Sequence, residues 1–277
     1  VRCDADDDGL TLPPGFCAAR FADDLGSPRH LAVRDDGVVF AAIRNRRGET
    51  GGLVALRDTD GDGRADARER FGENGGTGLA LVADTLLYFG ADDAVLRYRI
   101  PRGALVPAGP PDTIVHDLPA LSSHAAKSIS IHDSRLFVNH GSPSNSCQAE
   151  DRANRSPGLD PCPELETRAG VWVYDANRLR QRLEDGQRFA TGTRNLVAQT
   201  IGPDGRLYAV QHGRDQLGAN WGFSEQQNAE QPITYTLEMD SGSNALTWDV
   251  MYGTSPATSK LRVAVNAMTG GFLRVVK

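Results

Sequence analysis

The 277-residue chain contains no apolar run of about 18 residues, so no membrane-spanning helix is predicted. It also lacks an excess of positive charge, because 30 lysines and arginines stand against 36 aspartates and glutamates, for a net charge of −6. Binding to nucleic acid or to a membrane surface needs a basic face, so neither partner is expected. With 39% hydrophobic and 24% charged residues, the composition is that of an ordinary globular protein.

Cysteine is scarce, and the four that are present form two close pairs, Cys3 with Cys17 and Cys147 with Cys162. Neither pair has the C-x-x-C spacing of a zinc site. Each pair encloses polar, turn-rich sequence with little apolar core of its own, which a local disulfide would stabilise. We therefore predict two disulfides and a periplasmic or secreted location, with four free thiols in a cytosolic protein as the alternative.

One strand–turn–strand phrase occurs four times along the chain. Each copy has an alternating apolar segment, an Asp with Gly or a near equivalent, and a second apolar segment. The anchoring residues Asp36, Asp84, Asp133 and Asp204 are separated by 48, 49 and 71 residues. Short strands and tight turns at a period of about 40–50 residues are typical of a β-propeller, so the predicted fold is all-β. The longer last interval indicates an insertion at residues 142–168.

The repeats and the polar segment before them predict a first domain at residues 1–230. Residues 231–277 lack the repeat and are predicted to form a small antiparallel β segment, with strands at 233–239, 246–252 and 261–265. One short helix is predicted near residues 177–183. Because a propeller gathers loops from every blade around one axial pocket, functional residues are expected in loops at equivalent positions of the repeats.

The sharpest local motif is an acidic loop at residues 58–69. It fits the pattern D-x-D-x-D-G-x5-E, in which alternate carboxylates converge on one Ca²⁺ and a Gly permits the sharp turn. Strand-like sequence before the loop argues against a helical EF-hand, so we predict a structural calcium site between strands. The alternative is a solvated acidic turn. The predicted ligands are the side chains of Asp58, Asp60, Asp62, Asp66 and Glu69 and the carbonyl of Arg64.

A second set of candidates lies in loops beside the repeats. His124 and Lys127 precede the third repeat, and Arg194 and Asn195 precede the fourth. A loop histidine is often exposed or capping, and Arg194 and Asn195 can be plain turn residues. Their matching positions would bring them to one axial mouth, where a basic, polar funnel suits a polyanionic cofactor and a hydroxylated substrate. Three further candidates are His30 before the first repeat, and His212 and Gly213 after the fourth.

Residues 13–222 resemble the soluble pyrroloquinoline-quinone (PQQ) sugar dehydrogenases, the glucose/sorbosone dehydrogenase family. The likeness is carried by P-G-F at 14–16, P-R-H-L-A-V at 28–33, H-x-x-K-S-I at 124–129, G-T-R-N at 192–195 and P-D-G-R-L-Y at 203–208. That family is a six-bladed propeller with quinone and calcium on its axis. About four blades are visible here, and a truncated propeller is one interpretation. The tail is similar, over a short stretch, to the end of a PepSY-type domain.

The resemblance implies roles for individual residues. His124 corresponds to the general base that takes the proton of the substrate hydroxyl while hydride passes to the quinone. Arg194 and Asn195 correspond to the pair that polarises the quinone oxygens. The carbonyl of Gly213 corresponds to a ligand of the quinone-linked calcium. The remaining members of the expected cofactor-binding set are His30, Lys127 and His212.

Two functions from different classes are consistent with these features. The first is PQQ-dependent oxidation of a sugar or sugar-like alcohol, with the electrons passed to an acceptor such as a cytochrome or a quinone. The alternative is a calcium-stabilised, non-catalytic binding propeller that has lost the cofactor. The set formed by His124, Arg194 and Asn195 favours the enzyme, whereas the missing blades favour the binding protein.

Overall fold

A computed structural model describes residues 11–120, 123–224 and 226, together with the backbone of four strands after residue 232. The described chain is almost entirely β and forms four antiparallel sheets, which confirms the predicted all-β fold. It has two compact units: residues up to 91 with 96–112, and residues 92–95 with those from 113 onward. In the part of the chain that is described, no helix has the length and apolar character that a membrane crossing requires.

The first two sheets contain four strands each, arranged in chain order. The strands of the first sheet are β1 (Pro28–Val33), β2 (Val39–Ile43), β3 (Gly52–Arg57) and β4 (Ala67–Phe71). The strands of the second sheet are β5 (Gly76–Val82), β6 (Leu86–Ala91), β7 (Val95–Arg99) and β8 (Asp112–Val115).

The third sheet also has four strands, and the fourth has six. The strands of the third sheet are β9 (Ile129–His132), β10 (Arg135–His140), β11 (Gly170–Asp175) and β12 (Gln187–Thr191). The strands of the fourth sheet are β13 (Leu196–Ile201), β14 (Leu207–Gln211), β15 (Ile233–Met239), β16 (Ala245–Met251), β17 (Lys260–Asn266) and β18 (Phe272–Val276).

Each aspartate that anchors the sequence repeat lies in the turn between the first two strands of its sheet. Asp36 follows β1, Asp84 follows β5, Asp133 follows β9 and Asp204 follows β13. These tight turns need at least one residue with a positive φ. In two copies the Asp itself has it, with φ of 59° at Asp84 and 46° at Asp133, and in the other two copies the Gly that follows the Asp has it. Asp and Gly enter this left-handed region more readily than most residues. The four repeats are therefore confirmed as the beginnings of the four sheets.

Apolar packing fixes the strands that carry the candidate loops. The third and fourth sheets share a buried cluster in which the rings of Phe137 and Phe189 meet edge to face, with centroids 5.1 Å apart. The cluster includes Leu196, the first residue of β13, so it fixes the strand that begins directly after Asn195. The other buried members of the cluster are Val171, Ala190, Leu196, Leu207 and Ala209.

The predicted helix near residues 177–183 is wrong. This segment is a series of bends that leads into a short 3₁₀ helix at Leu183–Asp185. The Asp175 carboxylate accepts the backbone N–H of Asn177, and the Gln181 amide donates to the carbonyls of Asp175 and Arg178. Side chains that bond to nearby backbone in this way offer it an alternative to helical hydrogen bonds. The sequence pattern also did not predict the short α-helix α1 (Leu217–Trp221).

The insertion at residues 142–168 is an ordered loop tied by a disulfide. Cys147 and Cys162 are bonded, with Cα atoms 6.1 Å apart, and a 3₁₀ helix at Pro163–Glu166 follows. This confirms the predicted second bridge. Cys17 is also disulfide-bonded, whereas its predicted partner Cys3 lies outside the described residues.

Replacing both Cys147 and Cys162 by Ser should destabilise the protein measurably. The bridge spans 15 residues, and a closed loop of this size contributes about 3 kcal/mol in a chain-entropy model. Urea unfolding followed by tryptophan fluorescence should show a lower midpoint for the double variant. An unchanged midpoint would mean that the insertion is held by its hydrogen bonds alone.

The strands predicted after residue 230 are present. The segments 233–239, 246–252 and 261–265 correspond to β15, β16 and β17, and β18 was not predicted. Backbone pairing runs on from β14 to β15, with Leu207 opposite Leu237, so these strands continue the fourth sheet. The division into domains at residues 1–230 and 231–277, and the PepSY-type likeness of the second, stay predictions.

Candidate functional site

His124 is oriented by a hydrogen bond to the insertion. Its Nδ1 lies 2.7 Å from the Ser142 carbonyl oxygen. A carbonyl oxygen can only accept, so Nδ1 carries the proton and donates it, and Nε2 is left with its lone pair. His124 also has φ of 52°, a left-handed conformation that is rare for a residue with a side chain. The hydrogen bond to Ser142 therefore favours the Nδ1–H tautomer of the imidazole.

The electrostatic surroundings keep His124 neutral. Burial lowers the pKa of His124, the hydrogen bond with Ser142 opposes that shift, and the positive charges of Arg194 and Arg152 lower the pKa further. The ordinary histidine value is about 6.5, so a lowered pKa leaves the imidazole unprotonated at neutral pH. A neutral imidazole with a free Nε2 is able to accept a proton.

Arg194 lies beside His124 and is almost buried, with 8% of its surface exposed. Its Nε donates to the Asn145 carbonyl at 3.1 Å, and its Nη2 pairs with the Asp215 carboxylate at 2.8 Å. The backbone carbonyl of Arg194 accepts the N–H of Ser142, the residue that orients His124. The structure thus brings two predicted site residues, Arg194 and His124, into one hydrogen-bonded group.

Asn195 joins the same group. Its carbonyl accepts the backbone N–H of His212, and its buried Oδ1 has no hydrogen-bond partner among the described residues. A Cβ added to Gly141 would lie 2.5 Å from the His124 carbonyl oxygen and 3.2 Å from Asn195 Oδ1. Gly141 is therefore the residue that lets the His124 and Asn195 loops approach each other.

A cavity of about 380 Å³ opens beside Arg194. Its volume is within the range of small-molecule sites. The disulfide of the insertion forms part of its wall, and the predicted residues Arg194 and Gly213 line it together. The other lining residues are Ser142, Asn145, Ser146, Cys147, Cys162, Glu164, Leu165, Ala169, Gly192, Thr193, Gln211 and Arg214.

The remaining predicted cofactor contacts lie at different places. Lys127 is 1% exposed, and its Nζ donates to the carbonyls of Pro119 and Ala125. Burial lowers the pKa of Lys127 to about 8. The His212 side chain is exposed, although its backbone pairs with Asn195. His30 belongs to β1, in the first compact unit.

Reasoning from the sequence missed Ser142 and Asn145, and it gave no role to Asp215, although it singled out the segment 211–215. Ser142 orients His124, and Asn145 holds Asp215 through two hydrogen bonds to its backbone, at 2.8 and 3.0 Å. Asp215 accepts from both Arg194 and Arg152. Burial raises the pKa of Asp215, but these two arginines together bring it below the usual range. The sequence signal that could have identified Ser142 and Asn145 is the run of small polar residues directly after Gly141.

The donor set around the cavity fits a planar anion that carries carbonyl and carboxylate oxygens. Arg194 and Arg214 supply positive charge to the lining. Thr193 Oγ1 is buried and, like Asn195 Oδ1, has no partner among the described residues. Buried polar groups are normally satisfied, so both atoms are unusual. Thr193 lines the cavity, whereas Asn195 does not, and the Asn195 Oδ1 can only accept a hydrogen bond. Two features oppose the binding of an anion: the lining contains Glu164, and the Asp215 carboxylate is already paired with Arg194.

In the first compact unit, the acidic loop brings three of its predicted ligands together. Carboxylate oxygens of Asp58, Asp60 and Asp62 lie within 4.8 Å of one another. Asp58 accepts the backbone N–H groups of Gly63 and Gly61, and these hydrogen bonds lower its pKa. Three carboxylates at this spacing fit a hard cation such as Ca²⁺.

The other predicted ligands of the acidic loop are placed differently. The Asp66 carboxylate accepts from the backbone N–H and the hydroxyl of Thr59, which closes the loop. Glu69 lies in β4, opposite Ala55. The backbone N–H of Arg64 donates to Asp62, and its guanidinium donates to the Arg20 carbonyl. Calcium ligation by Asp66, Glu69 and the Arg64 carbonyl stays a prediction.

Addition of calcium should raise the melting temperature of the protein. Binding to the folded state alone stabilises it by about 2.7 kcal/mol when the free ion is at 100 times its Kd. Asp60→Asn should abolish this shift. Asp133→Asn, which removes an exposed carboxylate elsewhere, should retain it. If calorimetry shows the same melting temperature with calcium and with chelator, the loop is only a solvated turn.

Comparisons with known proteins agree with this architecture. The holo form of the pyranose dehydrogenase PQQ domain from Coprinopsis cinerea is similar, with a TM-score of 0.62 and 15% identity over 94% of this chain. A calcium structure of the Trichoderma reesei Carbohydrate-Active Enzymes Family AA12 is similar with a TM-score of 0.58 and 14% identity over 91%. The chain spans 55% and 67% of the lengths of these two proteins. A search of curated proteins found no match.

The repeated four-stranded sheets and these likenesses define a β-propeller of the kind found in PQQ-domain proteins. Within that class, the chain belongs to the TrAA12-like family, whose model matches residues 10–245. The resemblance to PQQ sugar dehydrogenase-like propellers is thereby confirmed.

Proposed function

We propose that the protein oxidises a sugar or sugar-like alcohol with PQQ bound beside His124, Arg194 and Asn195. The observation that carries the proposal is the hydrogen bond from His124 Nδ1 to the Ser142 carbonyl. It leaves Nε2 unprotonated in a half-buried setting, as a general base requires. His124 itself is not among the residues that line the cavity, and it is linked to that lining through Ser142 and Arg194. The likeness to a PQQ domain, at 15% identity, supports the cofactor class by analogy only.

In this proposal His124 performs the proton transfer. Nε2 accepts the proton of the substrate hydroxyl, and the Ser142 carbonyl stabilises the imidazolium that forms because Nδ1–H keeps donating to it. When bound, the quinone supplies the acceptor for the hydride that leaves the hydroxyl-bearing carbon, so the alcohol becomes a carbonyl. The lowered pKa of His124 keeps the base ready at neutral pH.

Arg194 and Asn195 are proposed to bind the cofactor and orient the substrate. The Arg194 guanidinium would donate charge-assisted hydrogen bonds to quinone oxygens. The Asn195 side-chain N–H would donate one more hydrogen bond to a quinone oxygen. The Gly213 carbonyl, in the same lining as Arg194, is the proposed ligand of a quinone-linked calcium. His30, Lys127 and His212 stay proposed cofactor contacts.

The wider setting is proposed on similar grounds. A disulfide at Cys147–Cys162 suits an oxidising compartment, so the protein is proposed to be periplasmic or secreted. The electrons are proposed to pass to a separate acceptor such as a cytochrome or a quinone. The acidic loop with Asp58, Asp60 and Asp62 is proposed to hold a structural Ca²⁺.

A second candidate is a non-catalytic binding propeller that has lost the cofactor. The observation that favours it is the ion pair between Arg194 and Asp215, at 2.8 Å. In this pair Nη2 of the guanidinium already donates to a carboxylate, so this group is less available to an anionic cofactor.

The experiment that separates the two candidates is reconstitution. The protein is incubated with PQQ and calcium, and reduction of an artificial electron-acceptor dye is followed across a panel of monosaccharides and polyols. The enzyme hypothesis expects turnover with at least one sugar that depends on added PQQ. Protein that takes up no PQQ at high micromolar concentration, with calcium present, would leave the binding propeller.

A further inference from the structure

The loop that carries His124 rests on two buried cationic side chains. Lys127 and Arg168 are 1% and 3% exposed. Lys127 Nζ donates to the Ala125 carbonyl at 2.9 Å, and Arg168 Nη2 reaches the Ser123 carbonyl at 3.4 Å. The carbonyls on both sides of His124 are therefore bound by buried positive charges.

Arg168 also binds the segment that orients the imidazole. Its Nε donates to the Gly141 carbonyl at 2.5 Å. The next carbonyl in the chain, that of Ser142, accepts the proton of His124 Nδ1. The Arg168 guanidinium thus connects the Ser123–His124 peptide to the Gly141–Ser142 peptide. The backbone N–H of Arg168 donates in turn to the carbonyl of Glu164, the second residue of the 3₁₀ helix in the insertion.

This arrangement is poorly explained by stability alone. Burial lowers the pKa of Arg168, because a cation is less favourable away from water. Both hydrogen-bond partners in the His124 site are neutral carbonyls, and Nη1 has no partner among the described residues. The charge of Glu164 raises the pKa of Arg168, but no carboxylate forms an ion pair with the guanidinium in the described ranges. A buried cation without an ion pair costs folding free energy, and a positioning role would account for it.

We infer that Arg168 is a positioning residue, which sets the tautomer and direction of His124 by holding the Gly141–Ser142 and Ser123 peptides together. The inference rests on the proposed function for its catalytic meaning, but the geometric relation between Arg168 and His124 exists without cofactor. Without the guanidinium, the Ser142 carbonyl loses its fixed direction and Nδ1 loses its preferred acceptor. Nε2 then carries the proton in part of the molecules.

The test measures the tautomer of His124 in the protein without cofactor. In protein labelled with ¹⁵N-histidine, two-bond ¹⁵N–¹H correlation spectra distinguish Nδ1–H from Nε2–H, and the His124→Gln variant assigns the signal. Wild-type protein should show His124 as Nδ1–H. Arg168→Gln should convert at least a third of it to Nε2–H. Arg188→Gln is the matched control, since Arg188 also donates to an insertion carbonyl, that of Glu166, and should leave the tautomer unchanged.

Turnover of the reconstituted enzyme gives the second readout. Misplacing a catalytic group by about 1 Å can lower the rate roughly 100-fold, so Arg168→Gln should lower kcat by about 10- to 100-fold with little change in KM. Arg168→Lys keeps the charge but has a single nitrogen, which does not reproduce the bridge from Nε to the Gly141 carbonyl and from Nη2 to the Ser123 carbonyl, so it should show both defects to a smaller degree than Arg168→Gln. If Arg168→Gln does not fold, Arg168→Lys decides, and a wild-type tautomer with wild-type kcat in that variant would overturn the inference.

Two further outcomes bear on the inference. Wild-type His124 found as Nε2–H, or a folded Arg168→Gln protein with unchanged tautomer, would refute it. A tautomer that shifts in Arg168→Gln, in a protein that binds no PQQ, would support the positioning role while removing the proposed function.

Discussion

Replacing His124 by Gln should lower turnover with PQQ and a sugar by about 10²–10⁴-fold, the usual contribution of a general base. PQQ binding should be largely retained, because the Gln amide can still donate to the Ser142 carbonyl that now accepts from Nδ1. The wild-type rate should also fall as the pH drops below the lowered pKa of His124, since protonation of Nε2 removes the base. Stopped-flow dye reduction and a PQQ fluorescence titration measure the two effects separately.

His132→Gln is the matched control for this variant. His132 lies at the end of β9 in the same sheet and contacts Asp133 at the surface. The His132→Gln variant should retain both turnover and PQQ binding. A His124→Gln protein that turns over within threefold of wild type would remove His124 from the chemistry, whatever its tautomer.

Replacing Arg194 by Gln should impair binding and turnover together. A hydrogen bond from a charged group to an anionic ligand contributes about 1.5–3 kcal/mol, so the Kd for PQQ should rise by roughly 10- to 100-fold. The Asn145 carbonyl would lose its charged donor and Asp215 one of its two arginines. Isothermal titration with PQQ and calcium measures the change in affinity.

The contrast between the two variants is the informative result. His124→Gln should bind PQQ and fail in turnover, whereas Arg194→Gln should fail in both. Arg178→Gln, which removes an exposed ion pair with Asp185, should match wild type. Equal PQQ affinity in the Arg194→Gln and wild-type proteins would place the cofactor away from this cavity.

The fold was predictable because its strongest signals are local. Each repeat is marked by a turn that needs positive φ, and residues such as Asp84 and Asp133 satisfy that need within one or two positions of the chain. Alternating apolar residues on each side then define two paired strands. The prediction of a helix near residues 177–183 was wrong, because the side chains of Asp175 and Gln181 form hydrogen bonds with nearby backbone groups. A periodicity pattern does not reveal such bonds.

The candidate site was predictable only in part. His124, Arg194 and Asn195 precede repeat strands, so their convergence follows from the repeat itself. Asn145 and Asp215, by contrast, are 70 residues apart and meet through reciprocal hydrogen bonds. No periodicity relates an insertion to a loop after the next repeat, and pairings of this kind emerge only when the whole chain folds. The contacts of Arg168 with the His124 loop were equally hidden, because in the sequence Arg168 is only the last residue of the insertion.

A crystal structure of the protein with PQQ and calcium tests the central claim most directly. The account predicts PQQ in the cavity lined by Arg194 and Gly213, with Arg194 and Asn195 within hydrogen-bond distance of its oxygens. His124 Nε2 should face the cofactor across a space that admits a sugar hydroxyl. PQQ bound elsewhere, or a cavity that stays empty while Arg194 remains paired with Asp215 at saturating PQQ, would contradict the account.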